Sequence, residues 1–346
     1  MLNTKSTMKI LPAEWEPQSA VQLTWPQHPE IWGSHFEDAV ACFQRLAKEI
    51  SQRQKLLLVC ASERETRPLL RLCTLENIIF AEISANDVWA RDHAAFTVLQ
   101  DGQPQLLDFV FNGWGMKFAA NLDNQITRKL KAGGFFKDLP VAHLPLVLEG
   151  GSLESDGRGT LLTTSTCLLS PNRNEYLGKA ALEEQLQRHF GARKVLWLNH
   201  GHLEGDDTDS HIDILARFAP GNRLVYMQCT DPTDPHFEEL QAMEKELQQF
   251  TDANGQPFEL FPLPLPFITD ARQNRLGASY ANFLIINKAV LVPVYGAKQD
   301  EQALQILKKV FPGREVVGIN CLPLITQGGS LHCVSMQFPE AVFGSR

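Results

Sequence analysis

Apolar residues along the chain are grouped in short runs that predict β-strands. Most runs are apolar at nearly every position, which is typical of strands covered on both faces. They are KLLLVC (55–60), NIIFAEI (77–83), AAFTVL (94–99), LLDFVF (106–111), KVLWL (194–198), RLVYMQC (223–229), NFLIIN (282–287), AVLVPV (289–294) and VSMQF (334–338).

Amphipathic helices are predicted between these strands. Apolar residues three or four positions apart form four stripes, as one buried face of a helix requires. The stripes are Phe36, Val40, Phe43, Ala47 and Ile50; Leu182, Leu186 and Phe190; Phe237, Leu240, Leu247 and Phe250; and Leu304, Leu307 and Phe311. Strands that alternate with helices predict the α/β class.

The pattern shows no break between domains. The segment FELFPLPLPF (258–267) can be interpreted as a long connection, but it lacks the polarity of a linker. No residue repeat of fixed period is visible, so any internal symmetry must be structural. We expect one domain over residues 1–346, a length that suits one large domain or two ordinary ones.

Composition and charge narrow the function classes. Hydrophobic residues make up 44% and charged residues 21% of the chain, as in a globular protein. The net charge of −8 disfavours a nucleic-acid partner and is better suited to a cationic small molecule. We expect no membrane association and a cytoplasmic location, because neither a spanning segment nor a secretory signal is apparent. The sequence leaves open whether the chain forms a homo-oligomer.

The seven cysteines do not indicate a disulfide framework, because their number is odd and none belongs to a CxxC pair. Six are interpreted as core residues. Cys333 differs, because it follows the two glycines of QGGSLHC (327–333), which can present a side chain at a pocket wall. A Gly-Gly turn into a final core strand is an equally good interpretation of this segment.

Histidine and acidic residues gather in other loop-like segments near strand ends, where sites are often built. In DDTDSHID (206–213), His211 can serve in proton transfer, ligate a metal together with His200, His202 and Glu204, or lie in a solvated turn. On a strand, His332 would face away from Cys333, so His211 is the candidate base.

Two further segments carry candidate acids. Glu149 ends an apolar run before the Gly-Gly of LEGGSLESDGRGT (148–160), where it faces either water or a site, whereas Asp156 is interpreted as a hairpin-turn residue. NDVWARD (86–92) offers either a surface pair of Arg91 and Asp92 or an aromatic wall beside an anionic ligand for a cation. Trp114, between glycines, can line a pocket or the core.

Taken in order, these segments resemble the agmatine deiminase family, which is related to bacterial peptidyl-arginine deiminases. The resemblance rests on motifs that span nearly the whole chain, namely PAEWEPQSAVQLTWP, NDVWARD, FNGWG, LEGGSLESDGRGTLLTT, LLSPNRN, DTDSHID, RLGASYANF and QGGSLHCVSMQFP. It implies an α/β pentein fold of five ββαβ units around a central channel. One departure is Ser210, which stands before the histidine where the family commonly has glycine.

The resemblance also implies the site residues and the reaction. Cys333 is the nucleophile, His211 the general acid and base, Glu149 its partner, and Asp92 and Asp213 the acids that bind a guanidinium. The expected reaction is hydrolysis of agmatine to N-carbamoylputrescine and ammonia, with no cofactor and no metal. A planar, permanently charged guanidinium needs carboxylates that accept its N–H groups, and a thiolate can attack its carbon. Asp207, Trp89 and Trp114 are predicted to contact the far end of the substrate.

Three alternatives stay open at this point. DSHID (209–213) is similar to an element of manganese-dependent ureohydrolases, which release urea through a metal-bound hydroxide. The same fold serves peptidyl-arginine and free-arginine deiminases, although an acidic pocket would repel the carboxylate of free arginine. The third alternative is a non-catalytic binder of cations, for which loss of the cysteine or the histidine would be expected; both are present.

Overall fold

The computed structural model describes residues 8–344, in which seventeen strands form five separate sheets. The strands are β1 (Lys9–Ile10), β2 (Gln18–Thr24), β3 (Lys55–Cys60), β4 (Ile78–Glu82), β5 (Phe96–Gln100), β6 (Gln103–Val110), β7 (Val141–Val147), β8 (Glu154–Ser155), β9 (Thr160–Thr164), β10 (Lys194–Leu198), β11 (Ala216–Ala219), β12 (Arg223–Gln228), β13 (Glu259–Pro264), β14 (Leu284–Ile286), β15 (Ala289–Val294), β16 (Glu315–Asn320) and β17 (Ser335–Pro339).

The helices lie between the strands. The α-helices are α1 (Pro29–Trp32), α2 (Phe36–Ser51), α3 (Glu63–Thr66), α4 (Ala90–His93), α5 (Gly113–Met116), α6 (Ile126–Ala132), α7 (Ser165–Leu168), α8 (Pro171–Asn174), α9 (Lys179–Phe190), α10 (Phe237–Leu247), α11 (Asp300–Val310), α12 (Leu322–Ile325) and α13 (Glu340–Phe343). Single-turn 3-10 helices occupy Gly33–His35, Arg67–Leu69, Leu75–Asn77, Asp123–Gln125, Gly150–Ser152 and Ile212–Ile214. Within the described range, no helix combines the length and apolarity needed to cross a bilayer.

Each sheet is built on the same ββαβ plan. An antiparallel pair is followed by a helix and then by a strand parallel to the second of the pair. The five units are β5–β6–α6–β7, β8–β9–α9–β10, β11–β12–α10–β13, β14–β15–α11–β16 and β17–β2–α2–β3. The fifth unit joins the two ends of the chain, because β17 pairs with β2. This is the pentein arrangement, so the predicted fold is confirmed.

The apolar stripes predicted from the sequence form the buried faces of α2, α9, α10 and α11. In α2, Phe43, Leu46 and Ile50 are fully buried, and burying each such side chain contributes roughly 1.5–3 kcal/mol. The helices pack against strands that are themselves buried at nearly every position, such as β3 and β15. These packed units form a rigid frame that holds the loops at their strand ends.

Two local predictions were wrong. Six residues of 258–267 form β13, which pairs in parallel with β12, rather than a connection. His332 and Cys333 lie in a turn before β17 and not on a strand. The hairpin prediction is confirmed, because Asp156 directly follows β8 in the turn to the antiparallel β9, and its Oδ1 accepts hydrogen bonds from the backbone of Arg158 and Thr160.

Candidate active site

The four sequence segments with histidine, acid or cysteine residues meet in one place. The backbone N–H of Arg91 donates to the carbonyl of Cys333 at 3.0 Å, which joins the NDVWARD and QGGSLHC loops. Asp92 Oδ1 accepts a hydrogen bond from the backbone of Gly151 at 2.9 Å and lies 3.7 Å from Nδ1 of His211. Neither Asp92 nor His211 is a surface residue, so the solvated-turn interpretations were wrong.

A cavity of about 230 Å³ opens beside this junction. Its buried end is formed by Cys333, Asp92 and Trp114, and its exposed end by Ile31 and Phe118. The other lining residues are Asp87, Trp89, Asp207, Thr208, Gln327, Gly328 and Gly329. The size suits a small ligand, since pockets for drug-sized molecules span roughly 300–1,000 Å³.

Cys333 presents its thiol at the inner end of the cavity, where only 5% of the residue is exposed. Its Sγ lies 3.5 Å from Oδ1 of Asn282, which also accepts a hydrogen bond from the backbone of His332 at 2.9 Å. Burial, followed by the charges of Asp213 and Asp92, raises the pKa of Cys333 well above its usual value. Without a cation in the cavity, Cys333 is therefore a neutral thiol.

Asp92 is fixed by two donors. The indole Nε1 of Trp114 donates to Oδ2 at 2.9 Å, and the Gly151 amide donates to Oδ1. Burial raises the pKa of Asp92, and the nearby His211 opposes this rise. Trp114 thus forms the cavity wall and also orients a carboxylate that faces the thiol.

His211 lies between two carboxylates. Nδ1 is 3.7 Å from Oδ1 of Asp92, and Nε2 is 3.8 Å from Oε2 of Glu149. Both distances allow an ion pair but are too long for a hydrogen bond. Neither ring nitrogen has a hydrogen-bond partner among residues 8–344, although only 1% of the residue is exposed. Burial alone would lower the pKa of His211, but Asp92, and then Cys167 and Glu149, raise it well above the usual value.

Glu149 is held from behind by Arg173, a residue that the sequence did not single out. The Nε of Arg173 donates to both carboxylate oxygens, at 3.1 and 2.8 Å, and both side chains are fully buried. Burial would raise the pKa of Glu149, but His211 and Arg173 hold it below its usual value. Glu149 is therefore an ionised partner for His211.

Gly151 allows these groups to approach one another. A Cβ at this position would lie 2.5 Å from Nδ1 of His211, 3.0 Å from Oδ1 of Asp92 and 3.1 Å from Oδ2 of Asp213. A Cβ at 2.5 Å would force His211 to move, and the other two contacts are tighter than most real Cβ contacts. The second glycine of LEGG therefore makes room for the convergence of three functional side chains.

Asp213 is fixed by His332. Nδ1 of His332 lies 2.7 Å from Oδ2 of Asp213, and its Nε2 lies 2.7 Å from Oε2 of Glu14. The second oxygen of Asp213, Oδ1, is buried and has no hydrogen-bond partner within the described part of the chain. Burial would raise the pKa of Asp213, but His332 lowers it below its usual value, so Asp213 offers a free anionic acceptor.

The outer part of the cavity contains Asp207 and Trp89. The Trp89 ring lies against Gly329, where a Cβ would approach it to 2.2 Å. Nζ of Lys117 donates to the backbone carbonyl of Asp207 and to Oδ1 of Asp209, so this cation is held mainly by Asp209. Burial and Asp206 raise the pKa of Asp207.

All eight residues singled out from the sequence therefore lie in or beside one cavity. Cys333, Asp92, Asp207, Trp89 and Trp114 line it, whereas His211, Glu149 and Asp213 lie directly behind Asp92 and Gly151. Sequence reasoning missed four residues that orient these groups, Arg173, Asn282, Cys167 and Glu14. Three of them, Glu14, Arg173 and Asn282, lie inside the family motifs PAEWEPQSAVQLTWP, LLSPNRN and RLGASYANF, which was the available signal.

Ser210 has a left-handed backbone, with φ of +64°. Glycine adopts this backbone conformation without strain. The serine therefore replaces the glycine common in the family at a position where glycine would be unstrained. The residue is held there by two hydrogen bonds, from its N–H to Asp206 and from Thr164 to its carbonyl.

Groups able to ligate a metal occur in two clusters of the described chain, Glu149–Cys167–His211 and Glu14–Glu154–His332. The alternative set of His200, His202 and Glu204 does not gather around His211. His200 instead pairs with Glu239 at 3.3 Å.

Comparison with known families agrees with this geometry. The family model of the Porphyromonas-type peptidyl-arginine deiminases matches residues 10–339. The agmatine deiminase of Medicago truncatula is 34% identical over 95% of this chain and 96% of its own length.

Solved structures show the same fold over nearly all of the chain. A Porphyromonas gingivalis protein provisionally named an arginine deiminase is 47% identical, with a TM-score of 0.92 over 96% of this chain and 99% of its own. A cysteine-to-serine variant of C. jejuni agmatine deiminase with substrate bound is 35% identical, with a TM-score of 0.90 over 98% of both chains. A dimethylarginine dimethylaminohydrolase, at 12% identity and a TM-score of 0.53, shares the fold alone.

Proposed function

Because this chain belongs to the Porphyromonas-type peptidyl-arginine deiminase family, as the resemblance predicted, we propose that it is a hydrolase of guanidino C–N bonds whose substrate is agmatine. Relatives named agmatine deiminase align with nearly all of the chain. The observation that carries the proposal is the cavity itself, which places one thiol and one carboxylate at its inner end and a second carboxylate, Asp207, farther out.

The inner end suits a guanidinium. Asp92 lines the cavity, and Asp213 lies beside Gly151 just behind it with an unpartnered Oδ1. Both carboxylates accept N–H groups when the planar cation enters, which brings its carbon against the Cys333 thiol. The positive charge offsets the two carboxylates that keep this thiol protonated. Substrate binding thus favours loss of the thiol proton to solvent and formation of the thiolate, the form of cysteine that acts as a nucleophile.

The proposed reaction has two halves. In the first, the sulfur attacks the guanidinium carbon, and His211 gives a proton to the departing nitrogen, so ammonia leaves and a covalent thiouronium forms. In the second, His211 takes a proton from water that attacks the same carbon. The C–S bond breaks, the thiolate returns and N-carbamoylputrescine leaves. Such acid–base transfer typically contributes about 10²- to 10⁴-fold to the rate.

Glu149 and Arg173 prepare His211 for this role. The ionised Glu149 faces Nε2, which leaves Nδ1 toward Asp92 and Gly151 on the side of the cavity. The raised pKa of His211 keeps the imidazole protonated in the free enzyme, as the first proton donation requires.

The outer end favours an amine over a carboxylate. Asp207 attracts the ammonium of agmatine and repels the carboxylate of free arginine. Trp89 and Trp114 give the aliphatic chain apolar walls and can also contact a cation. Peptidyl-arginine remains the second candidate, because it shares the reacting group and lacks the free carboxylate.

The decisive experiment compares ammonia release by the purified chain from agmatine, free arginine and a blocked arginine peptide. We expect turnover of agmatine above both others, a ureido product, activity that persists in a chelator, and loss of activity with iodoacetamide. A preference for the peptide would assign the second candidate. Urea as the product, with activity lost on metal removal, would assign a ureohydrolase.

The same proposal covers two expectations from the sequence. Residues 1–346 act as one domain, supported by the pairing of β17 with β2 across the two ends of the chain. The cytoplasmic location stays a prediction.

A further inference from the structure

Three potential metal ligands, none of which is the nucleophile Cys333, meet behind the cavity. Oε2 of Glu149 lies 3.8 Å from Nε2 of His211 and 4.0 Å from Sγ of Cys167. The ligand atoms of all three residues lie within 4.8 Å of one another, and all three side chains are buried. Thiolate, imidazole and carboxylate are the ligands that Zn²⁺ takes in proteins.

The spacing is close to that of a tetrahedral site. With bonds of about 2.3 Å to sulfur and about 2.0–2.1 Å to nitrogen and oxygen, tetrahedral ligands lie about 3.3–3.6 Å apart. The two distances to Glu149, 3.8 and 4.0 Å, exceed this spacing by a few tenths of an ångström, and His211 and Cys167 lie within 4.8 Å of each other. The three side chains must therefore close in around the ion.

His211 supplies an independent indication of a ligand. Both of its ring nitrogens lack a hydrogen-bond partner among residues 8–344, although the side chain is buried. A buried nitrogen without a partner carries a desolvation cost that a bound cation would remove.

The second cluster, Glu14–Glu154–His332, differs in this respect. Oε2 of Glu14 already accepts from Arg217 at 2.8 Å and from Nε2 of His332 at 2.7 Å, and Glu154 is bonded to Arg217. Both ring nitrogens of His332 are thus already bonded, to Asp213 and Glu14, whereas those of His211 have no partner within residues 8–344.

We propose that Cys167, His211 and Glu149 form an inhibitory binding site for a thiophilic divalent cation, for which Zn²⁺ is the probe. The ion binds the Cys167 sulfur, a His211 ring nitrogen and a Glu149 oxygen, with water in the fourth position. The Cys167 thiol and the His211 imidazolium each release one proton to solvent, and no electrons are transferred. Inhibition rests on the proposed function, because it follows from occupying His211, the proposed acid–base group. Binding of the cation does not rest on the proposed function.

Two properties distinguish this site from zinc on a surface thiol. The ion binds only the thiolate of Cys167 and the unprotonated ring nitrogen of His211, because a protonated sulfur or nitrogen has no lone pair free to donate. Binding in competition with two protons weakens as the pH falls, by up to about a hundredfold per pH unit. Because the ligands are buried behind Asp92 and Gly151, inhibition has a slow onset.

The test is a direct titration of the metal-free chain with Zn²⁺ in competition with a chromophoric chelator. The variants are Cys167→Ala, Cys167→Ser, Cys333→Ala and, as a control on another buried cysteine, Cys60→Ala. We expect one tight site with release of two protons in the wild type, Cys333→Ala and Cys60→Ala, and affinity at least about a hundredfold weaker in both Cys167 variants. Thermal unfolding without zinc verifies that each variant is folded.

Each result decides one point. Binding lost in Cys333→Ala, or unchanged in Cys167→Ser, overturns the site. Zinc bound in the expected pattern by a chain that does not deiminate agmatine leaves the site standing and rejects the proposed function. Agmatine turnover that zinc does not slow while the three-residue site is filled overturns the inhibitory role.

Discussion

The two carboxylate oxygens of Glu149 share the single Nε–H of Arg173 in a bifurcated hydrogen bond, with N···O distances of 3.1 and 2.8 Å, and both side chains are fully buried. The same guanidinium donates from Nη1 to Asp209 at 2.6 Å and from Nη2 to the carbonyl of Thr208 at 2.9 Å. One side chain therefore holds the partner of His211 and also the loop that leads into His211. The orientation of the acid–base group depends on a residue that does not line the cavity.

Arg173→Ala is expected to lower kcat for agmatine by at least about tenfold with little change in KM, because Arg173 acts through Glu149 and His211 and not on the substrate. Removing one partner of a buried pair also costs about 3–5 kcal/mol of unfolding free energy. Steady-state kinetics and urea unfolding measure the two effects.

The matched control is Arg45→Ala, which removes the half-exposed partner of Glu49. Its unfolding free energy should change by no more than about 1 kcal/mol. Arg173→Lys keeps the positive charge but cannot bond Glu149, Asp209 and Thr208 at once as the guanidinium does. Its kcat and unfolding free energy should lie between those of the wild type and of Arg173→Ala. Unchanged kcat in Arg173→Ala would contradict the positioning role.

The sequence predicted the central elements well where a pattern was continuous. The strands predicted at 55–60, 194–198 and 289–294 coincide with β3, β10 and β15, and the stripe from Phe36 to Ile50 coincides with α2. The strands are buried at most positions and α2 buries one continuous face, so the hydrophobic pattern alone identifies them.

Two of the strands that were missed, β11 and β13, carry residues that strand patterns do not include. In β11, Arg217 is fully buried, and its charge is balanced by Glu14 and Glu154, which are distant in sequence. In β13, Pro262 and Pro264 are tolerated because this strand forms an edge of its sheet. Both compensations arise only in the tertiary structure.

The residues of the candidate site could likewise be predicted only in part from the sequence. Cys333, His211 and Asp92 stand out because their residue types carry chemistry, and their segments were recognisable. The roles of Asn282 and Cys167 depend on contacts across more than 40 positions of sequence, such as that of Asn282 with Cys333 at a separation of 51. Composition and spacing do not encode such contacts.

Asp207→Asn is expected to raise KM for agmatine about tenfold with little change in kcat, because the carboxylate holds the distant ammonium and not the reacting carbon. Discrimination against free arginine should fall at the same time. Kinetics with both substrates measure this effect. Glu204→Gln, an exposed change of the same charge in the same loop, is the control and should leave both constants near the wild-type values. If Asp207→Asn and Glu204→Gln have the same KM, Asp207 does not bind the substrate.

The free Cys333 thiol is expected to react slowly with iodoacetamide at neutral pH. Burial and the charges of Asp213 and Asp92 raise its pKa, so the reactive thiolate appears only as the pH rises beyond the ordinary cysteine range of about 8.5. Mass spectrometry of the labelled Cys333 peptide between pH 6 and pH 10 gives the rate free of the other cysteines. A rate that levels off below about pH 8 would show an ionised resting thiol and contradict this assignment.

Gly151→Ala tests whether the acid, the base and the substrate-binding carboxylate need their close approach. The added methyl would lie 2.5 Å from His211 and about 3 Å from Asp92 and Asp213, so at least one of these side chains must move. Because misplacement of a reacting group by about 1 Å can cost about 10²-fold, we expect kcat to fall by at least that factor. Ammonia release from agmatine under saturation gives kcat.

Gly178→Ala is the matched control, since a Cβ there has no atom within 4 Å and the backbone is extended, with φ of −78° and ψ of 171°. It should leave kcat and the unfolding temperature near the wild-type values. If Gly151→Ala unfolds like the wild type and retains full activity, then the close approach of His211, Asp92 and Asp213 is not required for the reaction. If it stays folded and loses activity, the separation of these three groups is what limits turnover.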